Sequence, residues 1–212
     1  MSDEEVEPKP QRPGPIGGDM AAIIHGLGDR MRIPYLVDRY SSTGIMGAFA
    51  FVNGVIAIAL MAAAALLTGQ PFIFPSLGPT AFLLFYTPIV VTACPRNTLA
   101  GHGIGAAAGF LALIVFGLRY APPALATQVT WPRVGAAALS LGLTSGLMVW
   151  LKVPHPPAGA TTLIVSLGIL RTPQQIAVLM LAVLLLVIQG FVINRAAGID
   201  YPAWAPKRAP AP

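Results

Sequence analysis

The residues best suited to chemistry lie in one stretch, Lys152-Val-Pro-His-Pro-Pro-Ala-Gly-Ala-Thr-Thr162, between two strongly apolar runs. It combines a cation, an imidazole, three prolines, a glycine and two hydroxyls. Proline has no N–H to donate and pushes the preceding residue out of the α region, so a continuous helix is not expected here. A broken backbone beside hydrocarbon is tolerated where it is buried in protein or lines a cavity. The stretch therefore predicts half of a binding site.

A second stretch repeats part of this pattern. Setting Gly78 against Gly159, a shift of 81 residues, aligns Pro75-Ser-Leu-Gly-Pro-Thr-Ala81 with Pro156-Pro-Ala-Gly-Ala-Thr-Thr162. Both stretches read Pro-x-x-Gly-x-Thr. Each stretch begins the short, broken middle segment of a three-segment unit. A long apolar segment precedes it, and another long segment follows it. The pattern predicts an internal repeat with two matched openings.

Two helix N-termini that face each other would suit an anion. Each offers unpaired N–H groups and about half a positive charge, and glycine lets a ligand approach the backbone. The predicted substrate-binding residues are Ser76, Gly78, Thr80, His155, Gly159, Thr161 and Thr162. The predicted relay residues for a proton or anion are Arg96, Asn97, His102 and Lys152. The alternative is that both openings are ordinary Pro/Gly kinks at helix-packing contacts.

The two histidines have more than one interpretation. His155 could bind the ligand, carry a coupled proton or cap a broken helix end. His102 is either a functional intramembrane group or one side of an interhelical hydrogen bond. Two histidines and Cys94 without carboxylates are a poor metal set, so neither a metal nor another cofactor is predicted. No catalytic set is recognisable, and an enzyme is not expected.

The composition predicts an integral membrane protein. Of the 212 residues, 55% are hydrophobic and 10% charged, whereas soluble domains are about a quarter charged. No acidic residue lies between positions 39 and 199. The net charge of +5 comes from scattered single cations, which does not suit nucleic acid. The expected partners are the lipid bilayer and a small inorganic anion; a homo-oligomer is left open. The acidic, proline-rich start does not resemble a cleavable signal peptide.

The predicted fold is all-α: a polytopic membrane helix bundle with two three-segment repeats and short broken helices. Residues 1–18 are predicted to be a disordered tail, 19–40 an interfacial amphipathic helix and linker (or a solvated linker), 41–195 the transmembrane domain, and 196–212 a C-terminal tail. A polar hairpin containing Arg119 and Arg133 separates the two repeats. The six apolar segments are Gly44–Thr68, Ser76–Ala93, Leu99–Leu118, Val134–Leu151, Ala158–Leu170 and Gln174–Ile193.

The topology depends on whether the short segments cross. If all six cross, only Arg119, Arg133 and Arg171 lie outside, which satisfies the positive-inside rule and makes the repeats inverted. Both termini are then cytoplasmic, in a bacterial plasma (inner) membrane. If the short segments re-enter instead, four segments span, and Arg96 and Lys152 lie outside. The inverted arrangement is the preferred prediction.

Small and polar residues predict how the helices pack. Gly101, Gly105 and Gly109 form a double G-x-x-x-G on one helix face, which allows close contact with another helix of the same chain. The same role is expected of three glycines in the fourth segment, Gly135, Gly142 and Gly146. Asn53 and Ser140 are expected to form interhelical hydrogen bonds.

Over roughly residues 40–195 the chain resembles the HPP family of integral membrane proteins. The motifs are Pro75-Ser-Leu-Gly-Pro-Thr-Ala-Phe-Leu-Leu-Phe85, Pro95-Arg-Asn97 with Gly101-His102, and His155-Pro-Pro-Ala-Gly-Ala-Thr-Thr-Leu163. The family is often described as having four spanning helices, and its cyanobacterial and chloroplast members are associated with nitrite transport. The resemblance implies a transporter or channel for a small monovalent anion. Nitrite is the leading candidate substrate, and formate and nitrate are the next candidates. A non-transporting scaffold or sensor module is the alternative.

Overall fold

The structure is a computed structural model that describes residues 32–205. The tail predicted at 1–18, residues 19–31 of the predicted amphipathic helix and residues 206–212 lie outside this range. Within it the chain is all helical, with no strand, so the all-α prediction is confirmed. The elements are α1 (Ile33–Arg39), α2 (Ser42–Thr68), α3 (Leu77–Tyr86), a 3-10 turn (Val91–Ala93), α4 (Pro95–Val115), α5 (Ala124–Thr127), α6 (Trp131–Trp150), α7 (Ala158–Ser166) and α8 (Pro173–Ala196).

Four helices within the described range, α2, α4, α6 and α8, are long and apolar enough to cross a membrane. The two short helices are not. With 10 residues in α3 and 9 in α7, they rise about 15 and 14 Å, roughly half of a 30 Å hydrocarbon core. Each short helix lies between two long ones in the chain, in the order that the sequence predicts.

Proline sets the start of several helices. The prediction that the third segment begins at Leu99 is wrong, because α4 begins at Pro95 and carries the polar Arg96 and Asn97 in its first turn. Proline costs nothing there, since the first N–H groups of a helix have no intrahelical partner. Pro34 likewise lies in the first turn of α1, where a non-helical link is predicted. At α8, Thr172 and Gln175 form a capping box.

The bundle has two ends that its contacts define. At the proximal end, Arg96 donates to the Lys152 carbonyl, and its backbone N–H donates to the Trp204 carbonyl. The N–H of Ile33 donates to the Ala197 carbonyl at the same end. At the distal end, Arg133 donates to the Pro122 carbonyl. Helix α4 therefore runs from the proximal to the distal end.

Helix α7 runs parallel to α4 and packs closely against it. A Cβ added to Gly101 would lie 2.7 Å from the His155 Cβ, one at Gly105 2.7 Å from the Ala158 carbonyl oxygen, and one at Gly109 2.8 Å from the Thr162 carbonyl oxygen. Later glycines of α4 thus meet later residues of α7. The prediction that this glycine face joins two helices of one chain agrees with these contacts.

The glycines of α6 do not serve that purpose. A Cβ at Gly142 would meet nothing within 4 Å, and one at Gly146 would meet only Trp150 of the same helix. A Cβ added at Gly135 would meet the ring of Phe116, just beyond α4. The shared packing role predicted for these three glycines is therefore wrong at Gly142 and Gly146.

Helix α3 runs in the opposite direction. Thr80, near its start, contacts His102, about 10 Å along α4 from Pro95. Leu84, near its end, accepts a hydrogen bond at 2.9 Å from Asn194, close to the proximal end of α8. The two short helices therefore run in opposite directions away from the level of His102.

Two predictions about lone polar residues are wrong. Asn53 donates to the Phe49 carbonyl and Ser140 to the Ala137 carbonyl, so each bonds within its own helix.

The segment after α8 packs on the bundle, since the buried Tyr201 donates to the Ala93 carbonyl at 2.7 Å. Burial raises the pKa of Tyr201, so its hydroxyl keeps the proton that this hydrogen bond needs.

Candidate functional site

A single imidazole joins the two short helices. The Nε2 atom of His102 lies 2.9 Å from the Thr80 Oγ1, and its Nδ1 lies 2.7 Å from the Thr161 Oγ1. All three side chains are fully buried. Thr80 and Thr161 occupy the same position of the two Pro-x-x-Gly-x-Thr patterns. The matched threonines therefore hold opposite nitrogens of one histidine.

The second histidine lies against the first. The Nδ1 of His155 is 2.7 Å from the Thr92 carbonyl oxygen, and its Nε2 is 3.4 Å from the Thr80 Oγ1. The two imidazole centroids are 4.9 Å apart. A carbonyl can only accept, so the Nδ1 of His155 carries a hydrogen and donates it. In the structure His155 is fully buried.

Two threonines that the sequence patterns do not single out complete this cluster. Thr98 donates to the Cys94 carbonyl and lies 3.5 Å from the Nδ1 of His155. It precedes His102 by four residues, a spacing that puts both on one helix face and could have identified it. Thr92 contributes only its carbonyl, which no side-chain pattern could reveal. We call His102, His155, Thr80, Thr98 and Thr161 the His–Thr cluster.

Thr162, another predicted site residue, faces α6 instead. Its Oγ1 donates to the Ala158 carbonyl and lies 2.8 Å from the Thr144 Oγ1. Thr144 in turn donates to the Ser140 carbonyl. Ser140 and Thr144 share one buried face of α6 with Arg133, and their spacing of four and seven residues is the signal for that polar face.

The remaining residues of the two openings differ in their surroundings. The carbonyl of Ser76 accepts from Thr80, while its buried Oγ has no hydrogen-bond partner among the described residues. Gly78 is exposed, and a Cβ there would meet nothing within 4 Å. Gly159 is half-buried, and a Cβ there would lie 3.4 Å from the Leu141 Cδ1. Close approach of a ligand to these glycines stays a prediction.

Three predicted relay residues meet at the proximal end. Arg96 donates from Nη2 to the Lys152 carbonyl at 3.2 Å and from Nε to the Asn97 Oδ1 at 3.1 Å. Asn97 donates to the Val91 carbonyl. Asn97 directly precedes Thr98, so this group adjoins the His–Thr cluster along α4. His102, the fourth predicted relay residue, lies inside the cluster.

Arg133 holds the distal end of α7. It is only 2% exposed, and it donates to the carbonyls of Ser166 at 3.0 Å and Pro122 at 2.8 Å. A cation beside a helix C-terminus is favourable because the last carbonyls carry partial negative charge. The prediction of Arg133 as part of a polar hairpin is wrong: it lies inside α6 and is buried.

An apolar groove of about 390 Å³ lies beside the two openings. Its lining residues are Pro79, Phe82 and Leu83 from α3 and Pro156, Pro157 and Ala160 at the start of α7. Both openings thus contribute apolar residues to one surface.

Side chains that could ligate a metal are sparse in this region. Residues 32–205 contain no group of three or more His, Cys, Asp or Glu side chains that could hold a metal ion. Cys94 is buried and not in a disulfide. Burial raises the pKa of its thiol, which keeps it protonated and unreactive at neutral pH.

Comparison with protein families gives one match. The family model described as HPP, transmembrane region, matches residues 41–202 of this chain. The match reaches past α8 and includes the buried Tyr201. Neither the curated proteins nor the solved structures gave a match.

Proposed function

This chain belongs to the HPP family of integral membrane proteins, and from that premise we propose that it transports a small monovalent anion, nitrite first. It would act as a transporter or channel in a bacterial inner membrane. One observation carries the proposal: two short helices start at a buried His–Thr cluster and run in opposite directions away from it. A ligand held at that cluster would face two helix N-termini at once.

The charge of the core favours an anion over a cation. Positions 39–199 contain no Asp or Glu, the residues that cation pathways usually employ. The N-terminal ends of α3 and α7 each bring unpaired N–H groups and a partial positive charge. The buried Ser76 hydroxyl, which has no partner among the described residues, is a further donor at the start of α3.

The course of the chain supports an inverted repeat. The first unit is α2, then an extended segment with α3, then α4; the second is α6, then an extended segment with α7, then α8. Within α3 and α7 the chain travels in opposite directions relative to α4. In this proposal each extended segment and its short helix together cross the membrane, as broken helices do in secondary transporters.

The distribution of cations supports cytoplasmic termini. Arg96, Lys152 and Arg195 lie at the proximal end, together with both ends of the described chain. The distal end holds Arg119, Arg133 and Arg171. The positive-inside rule then makes the proximal end cytoplasmic, with the predicted relay residues Arg96, Asn97 and Lys152 at its mouth.

The scaffold or sensor alternative has one observation in its favour. The hydrogen bonds of both histidines are satisfied inside the protein, as they would be in a static core. A scaffold should not respond to small anions. The melting temperature of the purified protein in detergent, measured with nitrite, nitrate, formate and chloride, separates the two: a transporter is stabilised by its substrate.

Uptake by proteoliposomes tests the proposal itself. Nitrite is expected to enter vesicles containing the protein faster than protein-free vesicles. Replacing His155 and Thr161 together should abolish the difference, while Thr127→Val, on an exposed residue of α5, should leave it intact. Equal uptake by the His155/Thr161 variant would show that the site is misassigned. No protein-dependent uptake of any tested anion would favour the scaffold.

A further inference from the structure

The two imidazoles are the groups best placed to hold a proton in the core. On the surrounding elements the other titratable side chains are Tyr86 at the end of α3, Cys94 and Arg96 at the start of α4, Arg133 on α6, Lys152 before α7, Arg195 on α8, and Asp200 and Tyr201 beyond it. Helices α2 and α7 have none. No carboxylate occurs between positions 39 and 199, and the exposed Asp200 forms an ion pair with Arg195. The membrane helices therefore supply no carboxylate to share or neutralise a proton on the histidines.

The hydrogen bonds of the cluster form a continuous chain whose direction is fixed at His155. His155 donates from Nδ1 to the Thr92 carbonyl, which leaves its Nε2 facing the Thr80 Oγ1 at 3.4 Å. Thr80 also contacts the Nε2 of His102 at 2.9 Å, and the Nδ1 of His102 contacts Thr161 at 2.7 Å. When His155 is neutral, its Nε2 is an acceptor. A proton added there turns it into a donor to Thr80.

Thr80 can pass such a proton on once its hydroxyl hydrogen, which otherwise bonds the Ser76 carbonyl, rotates toward the Nε2 of His102. The Nε2–H bond of His155 breaks as its proton forms a new O–H bond on Thr80, and the former Thr80 O–H proton forms an N–H bond on the Nε2 of His102. His102 then carries the charge, with its Nδ1–H donating to the Thr161 oxygen. Each proton that leaves one atom arrives on the next. No heavy atom has to leave the cluster.

The two histidines can carry only one such positive charge at a time. The rings are 4.9 Å apart and both are fully buried. Two positive charges at that distance without a nearby anion repel strongly, so the first proton opposes the second. An anion bound beside the cluster favours protonation of the pair. The anion has lost its hydration shell, and a positively charged imidazole stabilises it.

We infer that His102 and His155 together hold a single exchangeable proton, and that one proton crosses the membrane with each anion. This inference rests on the proposed function. The anion and the proton move together as a pair without net charge. Transport is therefore electroneutral, and the membrane potential does no work on it. An uncoupled anion, by contrast, would change its equilibrium distribution about 50-fold per 100 mV.

Stoichiometry and voltage dependence can be measured on the full-length wild-type protein in liposomes. The probe is nitrite at mildly alkaline pH, where little membrane-permeant nitrous acid is present, and protein-free liposomes give the background. A luminal pH dye counts protons, while potassium and valinomycin set the potential. We expect one proton per nitrite and less than a twofold change in rate between zero and a strongly negative internal potential.

His102→Gln and His155→Gln supply the matched test, since an amide keeps hydrogen bonds but takes no proton. Nitrite uptake by the variants should lose its proton and slow at least tenfold when the interior is made negative. Three results overturn the inference while leaving nitrite transport standing: voltage-driven uptake by the wild type, two protons per nitrite, or unchanged coupling in both His102→Gln and His155→Gln. If the variants do not fold or no longer take up nitrite, the wild-type measurements decide alone. Absence of protein-dependent uptake would remove the proposed function as well.

Discussion

The two short helices begin with the same pattern but are held in different ways. Helix α7 lies along the glycine face of α4, where added methyl groups at Gly101, Gly105 and Gly109 would overlap its atoms. Helix α3 packs against α2 and α8, and its Gly78 faces open space. Both nevertheless bring a threonine to His102.

This difference suggests that the two halves of the site, α7 with Thr161 and α3 with Thr80, have different roles. Helix α7 is fixed along its length by α4 and at its distal end by Arg133. Helix α3 packs against α2 and α8, and near its proximal end Asn194 bonds the Leu84 carbonyl. A site that must release its ligand needs one half that can move, and α3 is the better candidate. Substitutions in each half test this comparison, beginning with the largest expected effect.

Loss of the charged hydrogen bonds at the end of α7 should be the most damaging change. Arg133→Gln removes a guanidinium that donates to two carbonyls, and hydrogen bonds from charged groups contribute about 1.5–3 kcal/mol each. We expect a destabilisation of roughly 3 kcal/mol. The corresponding change at α3, Asn194→Ala, removes one neutral hydrogen bond and should cost about 1 kcal/mol. Thermal unfolding in detergent measures both, with the exposed Arg119→Gln as control. Equal losses at Arg133 and Asn194 would contradict the comparison.

Adding a methyl group should distinguish the two packing surfaces. Gly105→Ala would place a Cβ 2.7 Å from the Ala158 carbonyl oxygen, and overpacking of this kind costs about 1–3 kcal/mol. Gly78→Ala meets nothing and should be neutral or slightly stabilising, since alanine favours a helix. The melting temperatures of the two variants provide the test. A loss at Gly78 as large as that at Gly105 would mean that α3 is as tightly packed as α7.

The matched threonines should differ in their effect on stability. Thr161→Val leaves the buried Nδ1 of His102 without a partner in the fixed half of the site, at a cost of about 2 kcal/mol. Thr80→Val should cost about half as much if α3 shifts enough for water to reach the Nε2 atoms of His102 and His155, both of which the Thr80 hydroxyl contacts. Unfolding curves of the two variants, with Thr127→Val as control, give the comparison. A larger loss from Thr80→Val would reverse the assignment of the fixed and adjustable halves.

Chemical labelling should reveal the opposite directions of the two short helices, with little effect on stability. The exposed Gln70 precedes α3 and the exposed Lys152 precedes α7. Cysteines at these two positions should react with an impermeant maleimide from opposite sides of the membrane, and a cysteine at the exposed Ala203 should react from the same side as Lys152. The buried Cys94, whose thiol pKa is raised by burial, should stay unlabelled. Labelling of Gln70 and Lys152 from the same side would support re-entrant segments instead.

The sequence predicts the site's location better than its contacts. The repeated Pro-x-x-Gly-x-Thr pattern identifies Thr80 and Thr161, because proline and glycine indicate a break in the helix. That both threonines bind one histidine depends on the direction in which α3 and α7 leave the cluster, which no local pattern contains. Sequence patterning misplaces Arg133 because a cation next to a proline-rich hairpin resembles a loop residue. Its burial depends on the carbonyls at the end of α7, far away in the chain.

The start of α4 illustrates a second limit. Pro95, Arg96 and Asn97 are polar or helix-breaking by composition, yet they form the first turn of a helix, where unpaired N–H groups make both acceptable. The hydrogen bond of Arg96 to the distant Lys152 carbonyl comes from tertiary structure, whereas Asn97 bonds the carbonyl of Val91, six residues earlier. Sequence patterning alone therefore starts this helix four residues too late, at Leu99.

Nitrite uptake by proteoliposomes containing the double variant Thr80→Val, Thr161→Val tests the central claim most directly. If the anion is held where the two matched openings meet, removal of both hydroxyls should lower protein-dependent uptake at least tenfold in folded protein. Thr127→Val should match the wild type. Uptake by the double variant at the wild-type rate would contradict a site between the two short helices.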